Sequence, residues 1–306
     1  MPDSTHMVTP AQRKWLPWLT AVGFFMQTLD GTILNTALPS MAETLGESPL
    51  QMQSVIIAYM LTVALLIPAS GWLADRFGTR RVYLAAILLF TLGSLACAAA
   101  NTLPMLVAAR VLQGVGGALL MPIGRLAVLR VYSKHELLRV MSFVTIPGLV
   151  GPLIGPALGG WLVEVASWHW VFLINLPVGI LGFIASWYFM PDLRQGTATF
   201  DWQGFVMFSA GMVLVSVGLQ GLGEHSISTG WALFALLFGL AAMASYWLYA
   251  ANAEEPLFSL ALFKTSTFAI GIWGNLFARL GSGAMPFLTP LFLQLGLGFS
   301  PSKAGM

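Results

Sequence analysis

The sequence predicts an all-α integral membrane protein. Three observations carry that prediction. Hydrophobic residues make up 57% of the 306 and charged residues 8%, against about 25% charged in a soluble domain. The mean hydropathy is +0.80. Apolar stretches long enough to cross a bilayer, about 20 residues each, recur along the chain, and the connections between them alternate in charge. A chain so poor in charge cannot cover a water-soluble globule, which excludes a single soluble α/β domain of this length.

Nine spans are predicted, at about 16–38, 53–73, 82–100, 103–126, 141–163, 169–189, 204–222, 231–250 and 267–295. The first follows Arg13 and Lys14. It is longer than a signal-peptide core and lacks a small-residue cleavage site, so it is expected to remain in the protein. The third holds Cys97, the single cysteine; no intramolecular disulfide can form, and the thiol is expected to be inert packing. The fifth is rich in glycine and proline. The ninth contains Pro286 and Pro290 and is expected to be kinked, or to be one and a half helices.

The longer connections at 190–203 and 251–266 suggest an organisation in four parts. Residues 1–190 form a six-helix transmembrane bundle, 191–203 a cytoplasmic linker, 204–250 an inserted helix pair, and 251–306 the start of a second, truncated bundle. Nine spans do not divide into two equal repeats. A further span would begin just after SPSKAG, where the sequence stops. The chain is therefore expected to be part of a longer transporter.

Charge orients the spans. The segment before span 1 and the loops after spans 2, 4, 6 and 8 hold Arg13, Lys14, Arg76, Arg80, Arg81, Arg130, Lys134, Arg139, Arg194 and Lys264. Loops after spans 1, 3, 5 and 7 hold Glu43, Glu47, Glu164 and Glu224 and no Lys or Arg. The positive-inside rule puts the N-terminus in the cytoplasm. Trp15, Trp18, Trp168, Trp170 and Trp231 fit an interfacial belt.

Asp30 is the one acidic residue inside a predicted span, and Arg110 and Arg279 are the clear basic ones. Arg125, near the cytoplasmic end of span 4, is expected to snorkel. Charges at membrane depth are costly and face a cavity or a partner. At 1.5 Å per residue, Asp30 lies about 20 Å in from the cytoplasmic side and Arg110 about 10 Å in from the other. In a core about 30 Å thick the two are level, so they are able to pair. Gln27 shares the side of Asp30, while Thr28, Thr32 and Asn35 form a second polar stripe roughly opposite. Arg110, Gln113, Gly114 and Gly117 share one face of span 4. Burial penalises the charge on Asp30 and a nearby arginine favours it, so a carboxylate here is suited to taking up and losing a proton. The competing reading is a structural bond between helices. None of the four histidines, His6, His135, His169 and His225, falls at mid-membrane.

The loop GWLADRFGTRR at 71–81 has the spacing G-x3-D-R-x-G-x-R-R, with Gly71, Asp75, Arg76, Gly78, Arg80 and Arg81. Gly71 is expected to allow close helix approach, Asp75 to accept from helix N-termini or from Arg76, Arg80 or Arg81, and Gly78 to permit the turn. In PGLVGPLIGPALGGW at 147–161, Gly148, Gly151, Gly155 and Gly159 fall on one helix face beside Pro152 and Pro156, followed by Gly160. Small residues permit tight packing and prolines fix kinks, which suits a pivot; plain helix packing is the rival reading.

The 71–81 loop resembles the signature of the major facilitator superfamily. RVLQGVGGA (110–118) resembles its span-4 proton-coupling motif, and 147–161 its span-5 antiporter motif. LDGTILNTALP (29–39) and WHWVFLINLPVG (168–179) resemble the fourteen-span drug:proton antiporter branch. The resemblance implies two six-helix bundles around a central cavity, with two extra spans between them and most of the second bundle absent here. It implies export of small amphipathic molecules from the cytoplasm across the inner (plasma) membrane in exchange for protons. Asp30, Arg110 and Gln113 fall on coupling positions, the 71–81 residues on a cytoplasmic gate, and Gln27 and Arg279 are candidates for the substrate cavity.

Expected partners are therefore the lipid bilayer, a small-molecule substrate and protons, with no nucleic acid, and the chain is expected to act as a monomer. No cofactor and no metal is expected, the proton gradient supplying the energy. A metabolite exporter or importer of the same fold, or an inactive fragment, is the alternative. A membrane-embedded enzyme or an ATP-driven pump is disfavoured, because the sequence contains no H-E-x-x-H, G-x-S-x-G or P-loop.

Overall fold

The computed structural model describes residues 8–195, 199–224, 228–254, 256–282 and 285–305, without the side chains of 224, 280–282, 286, 287 and 305. The described residues form fourteen α-helices and no strand: α1 (Pro10–Ile33), α2 (Leu38–Leu45), α3 (Gln53–Leu66), α4 (Ser70–Phe77), α5 (Thr79–Ala98), α6 (Leu103–Val131), α7 (Lys134–Val165), α8 (Trp170–Leu173), α9 (Asn175–Phe189), α10 (Trp202–Glu224), α11 (Thr229–Ala250), α12 (Ser266–Ser282), α13 (Met285–Leu291) and α14 (Pro301–Gly305).

Two of the long helices, α1 and α6, start where the sequence supplies a side-chain cap. At α1, Thr9 Oγ1 accepts from Gln12 N at 3.2 Å and Gln12 Oε1 accepts from Thr9 N at 3.0 Å, ahead of Pro10. This reciprocal pair satisfies two backbone donors that would otherwise be orphaned. At α6, Thr102 Oγ1 accepts from Met105 N at 3.4 Å. Pro17, Pro122, Pro147, Pro152 and Pro156 lie inside continuous helices, but one proline divides its span. A 3-10 turn at Ile67–Ala69, containing Pro68, separates α3 from α4.

Among the described residues, seven helices are long and apolar enough to cross a membrane: Gln53–Phe77, Thr79–Ala98, Leu103–Val131, Lys134–Val165, Trp170–Phe189, Trp202–Gly223 and Thr229–Ala250. Two of the nine predicted spans are missing from that set, each for a local reason. α1 has the length, at 24 residues, but Gln27, Thr28, Asp30 and Thr32 make its second half too polar to qualify. The ninth is described as α12 and α13, and whether it is continuous lies outside the described residues, at 283–284.

The chain forms two units, Met1–Thr197 with Pro286–Met306, and Ala198–Met285. The segment 251–306, expected as one piece, is divided between them. In the first unit, α1 lies between α7, α6 and α9. Two apolar clusters build its core. One gathers Leu16, Leu19 and Met26 with Tyr83, Phe90, Leu120 and Ile123. The other gathers Leu29, Ile33 and Met41 with Cys97, Leu106, Trp168 and Phe172. On α5 and α6 the polar residues Ser94, Arg110 and Gln113 fall between the two clusters, and on α1 Asp30 lies at the near edge of the second, after Leu29. In the second unit α10 and α11 form an antiparallel hairpin, closed by Asp201, whose carboxylate accepts from Gly204 N at 2.7 Å, Tyr249 Oη at 2.9 Å and Leu257 N at 3.0 Å.

The start of α1 is also tied down. Arg13 meets Glu136 at 2.5 Å, and the Tyr132 hydroxyl donates to the Arg13 carbonyl. Burial raises the Tyr132 phenol above its ordinary pKa.

Candidate functional site

Asp30 is 1% exposed and sits on the inner face of α1. Arg110 Nη1 donates to its Oδ2 at 2.6 Å. Its Oδ1 accepts from Gln113 Nε2 at 2.8 Å and Asn175 Nδ2 at 3.0 Å. The level placement of Asp30 and Arg110 expected from helix rise is thus realised as a direct ion pair, with Gln113 joining it one turn further along α6.

Three members of the cluster were not singled out from the sequence. Ser94 Oγ on α5 accepts from both Gln113 Nε2 at 2.7 Å and Asn175 Nδ2 at 3.1 Å. Asn175 opens α9 just after the short α8. Tyr59 on α3 lays its ring 4.2 Å from the Arg110 guanidinium, with Phe172 at 5.8 Å. Asn175 was discoverable: it is the only amide inside the sixth predicted span, and the depth argument applied to Asp30 applies to it equally. Ser94 carries no such signal, because single serines are common in membrane helices.

The arrangement is a satisfied buried network. Ser94, Arg110, Gln113 and Asn175 are each 2% exposed or less. Arg110 also donates from Nη1 to Gln113 Oε1 at 2.7 Å and from Nε to the Val55 carbonyl at 3.4 Å. Buried ions are tolerated when paired and hydrogen-bonded in this way. The Tyr59 hydroxyl is the exception, buried without a partner among the described residues.

The opposite side of α1 meets the glycine stripe of α7. A Cβ added at Gly148 would fall 2.2 Å from the Phe24 ring, at Gly151 2.5 Å from Thr28 Oγ1, at Gly155 2.3 Å from Thr32 Oγ1 and at Gly159 2.3 Å from the Ile33 carbonyl. The positions 24, 28, 32 and 36 along α1 and its 3-10 extension thus fit the groove left by glycines. Thr36 Oγ1 donates to the Pro156 carbonyl at 3.2 Å. Pro152 faces outward and Pro156 is half-buried. Gly160 seats the chain near Pro301, whose carbonyl would lie 2.2 Å from an added Cβ.

The 71–81 loop corrects two expectations. Asp75 is held by Arg130 from α6, at 2.5 Å, rather than by Arg76, Arg80 or Arg81; the two helices cross there, whereas its neighbours in sequence point away. Arg76 lies over Trp72 and Phe77, Arg80 donates to the Trp187 carbonyl, and Arg81 is exposed. Gly71 makes no close approach, since an added Cβ would meet nothing within 4 Å. Gly78 is required as glycine: its φ of 92° and ψ of 143° suit no other residue. Beside it, Thr79 Oγ1 donates to the Pro191 carbonyl at 2.7 Å and accepts from Leu193 N at 3.0 Å, docking the loop on the start of the linker.

Gln27 is half-buried, with Oε1 lacking a partner among the described residues. Arg279 belongs to the other unit, where it is exposed and donates to Asn275 Oδ1 at 3.2 Å.

Residues 20–306 match the family profile of the Major Facilitator Superfamily. The chain belongs to that superfamily. It is 57% identical over 304 residues to "Putative multidrug resistance protein MdtD" of Pectobacterium atrosepticum, covering 98% of this chain and 64% of that protein. It is 53% identical over 301 residues to the protein of the same name from Yersinia pestis, covering 98% and 65%. The chain thus spans less than two thirds of the length of these relatives. Among solved structures it resembles a peptide transporter POT in complex with sulfate, with a TM-score of 0.59 at 19% identity over 79% of this chain and 53% of the other. It also resembles a bacterial homologue of the human lysosomal transporter Spinster, with a TM-score of 0.51 at 15% identity over 97% and 74%. Both likenesses speak for a major facilitator fold.

Proposed function

We propose that the chain is the N-terminal portion of a proton-coupled exporter of small amphipathic molecules. It would work as a monomer in the inner (plasma) membrane, with its N-terminus in the cytoplasm and the proton gradient as its energy source. One observation carries the reading: a single carboxylate, Asp30, buried at membrane depth against Arg110. Its close relatives, named as multidrug resistance proteins, support the class of cargo.

The geometry favours one site for the proton. Oδ1 of Asp30 holds two amide donors that are also held by Ser94. Among the described residues Oδ2 holds only Arg110, and Arg110 has other acceptors to turn to. A proton arriving on Oδ2 displaces the guanidinium toward Gln113 Oε1, the Val55 carbonyl and the Tyr59 ring. The attachment of Arg110 then passes from α1 to α3. A change of charge on one oxygen becomes a change in which helices are tied together, as a two-state transporter requires. The titratable side chains facing Asp30 are Tyr59 from α3, Cys97 from α5 and Arg110 from α6; α9 presents the neutral Asn175.

The test is Asp30→Asn in the full-length protein, reconstituted in sealed vesicles. Transport driven by a pH gradient is expected to be lost, while cargo exchange down its own gradient persists. Unimpaired pH-driven transport by this variant would sink the assignment. Cargo accumulating in right-side-out vesicles would instead establish an importer.

A further inference from the structure

We infer that Arg125 and Phe24 form a subsite for the anionic group of an aromatic cargo, so that the exporter handles organic anions. The inference deepens the export reading above and rests on it.

Arg125 was expected to snorkel toward the cytoplasm. The structure turns it the other way, laying its guanidinium 5.3 Å from the centre of the Phe24 ring. Helix direction explains this. Side chains tilt toward the N-terminus of their own helix, and α1 and α6 run antiparallel. Arg125 on α6 therefore leans into the membrane and Phe24 on α1 leans toward the cytoplasm, and the two meet.

Two helices flank the place where they meet. At Gly124, α6 lies against α1, an added Cβ there falling 2.7 Å from Thr20 Cγ2. At Gly148, α7 presses on the Phe24 ring from the other side. Phe24, 8% exposed, thus lies between α6 and α7 with Arg125 over its ring. Further along the same face of α1 comes Gly31, at i+7, and beside it there is open space to 4 Å among the described residues.

The site is positive. Arg125 is exposed, and no carboxylate lies within ion-pair distance of it among the described residues. Asp30 faces the other way and is committed to Arg110, and Asp75 to Arg130. A guanidinium stacked on a ring keeps its in-plane N–H groups free, in the fork that suits a carboxylate, sulfonate or phosphate. The adjacent ring and the open space beside Gly31 suit the body of an aromatic molecule.

Two probes of equal size and opposite charge test this: naphthalene-1-sulfonate and trimethyl(1-naphthyl)ammonium. Their binding to the full-length protein is measured in phosphatidylcholine nanodiscs at equal pH on both sides. No gradient is present, so the result is independent of whether Asp30 couples transport to protons. The sulfonate is expected to bind about tenfold tighter or more. Arg125→Gln should remove that preference without weakening the ammonium, and Arg125→Lys should retain part of it, which separates charge from loss of folding. Equal binding of the two probes, or an equal loss of both in Arg125→Gln, would overturn the proposal. Displacement of the sulfonate by phosphatidylglycerol would assign the anion site to a lipid headgroup and overturn it as well.

Discussion

Asp30 Oδ2 accepts from Arg110 Nη1 at 2.6 Å, with each side chain 1% exposed. A pair buried this completely is costly to break by halves, since the surviving ion keeps its desolvation cost and loses its partner. Arg110→Met is therefore expected to destabilise the bundle by about 3–5 kcal/mol. The double variant Asp30→Asn, Arg110→Met should recover a large part of the loss. Denaturant unfolding in detergent micelles measures both, and strictly additive effects would contradict the coupling.

The glycine stripe on α7 makes a graded prediction. A methyl at Gly155 meets the Thr32 hydroxyl, whereas one at Gly159 meets the Ile33 backbone carbonyl. Overpacking of this kind costs about 1–3 kcal/mol. Gly155→Ala should be relieved by Thr32→Ala, because the obstructing atom is then gone. Gly159→Ala should have no such partner. Gly182→Ala, with nothing within 4 Å of its added Cβ, should leave thermal stability unchanged and serves as the control. Failure of Thr32→Ala to restore stability to Gly155→Ala would remove the steric account.

These two relationships show what the sequence makes legible. The Asp30–Arg110 pair was within reach because helix rise converts sequence position into depth, and because a charge in an apolar span has few alternatives. The glycine face was readable from helical spacing, but not its partner: nothing in positions 148–159 names the threonines of α1. Asp75 was misassigned for the same reason. Proximity in sequence favoured Arg76, Arg80 and Arg81, while the crossing of α4 and α6 brings Arg130, 55 residues away. Arg125 was judged by distance from the span end alone, without the tilt of its side chain. Local periodicity sets the faces and depths of helices, and tertiary crossings decide which faces meet.

Gly78 offers a test of backbone against side-chain constraint. With φ of 92° and ψ of 143°, any other residue is strained by about 1–3 kcal/mol. An added Cβ would also fall 2.0 Å from Asp192 Oδ1. Gly78→Ala should lower the melting temperature of the detergent-purified protein, and adding Asp192→Ala should leave most of the loss in place, because strain remains after the clash is removed. Asp192→Ala alone breaks only an exposed pair with Arg194 and should shift melting little. Full recovery in the double variant would mean that the carboxylate, not the backbone, demands glycine.

Asp201 should prove to be the clasp of the α10–α11 hairpin, through different bonds on its two oxygens. Oδ1 accepts from Gly204 N and the Tyr249 hydroxyl, and Oδ2 from Leu257 N. Asp201→Asn keeps one acceptor oxygen and exchanges the other for a donor. It should preserve protection of the Gly204 amide against hydrogen exchange and lose that of Leu257. Asp201→Ala removes both acceptors and should expose both amides, freeing the chain after α11 as well as the first turn of α10. Amide exchange read at those two positions separates the variants. Continued protection of Leu257 in Asp201→Ala would show that the segment after α11 is held by other contacts, and that Asp201 only caps α10.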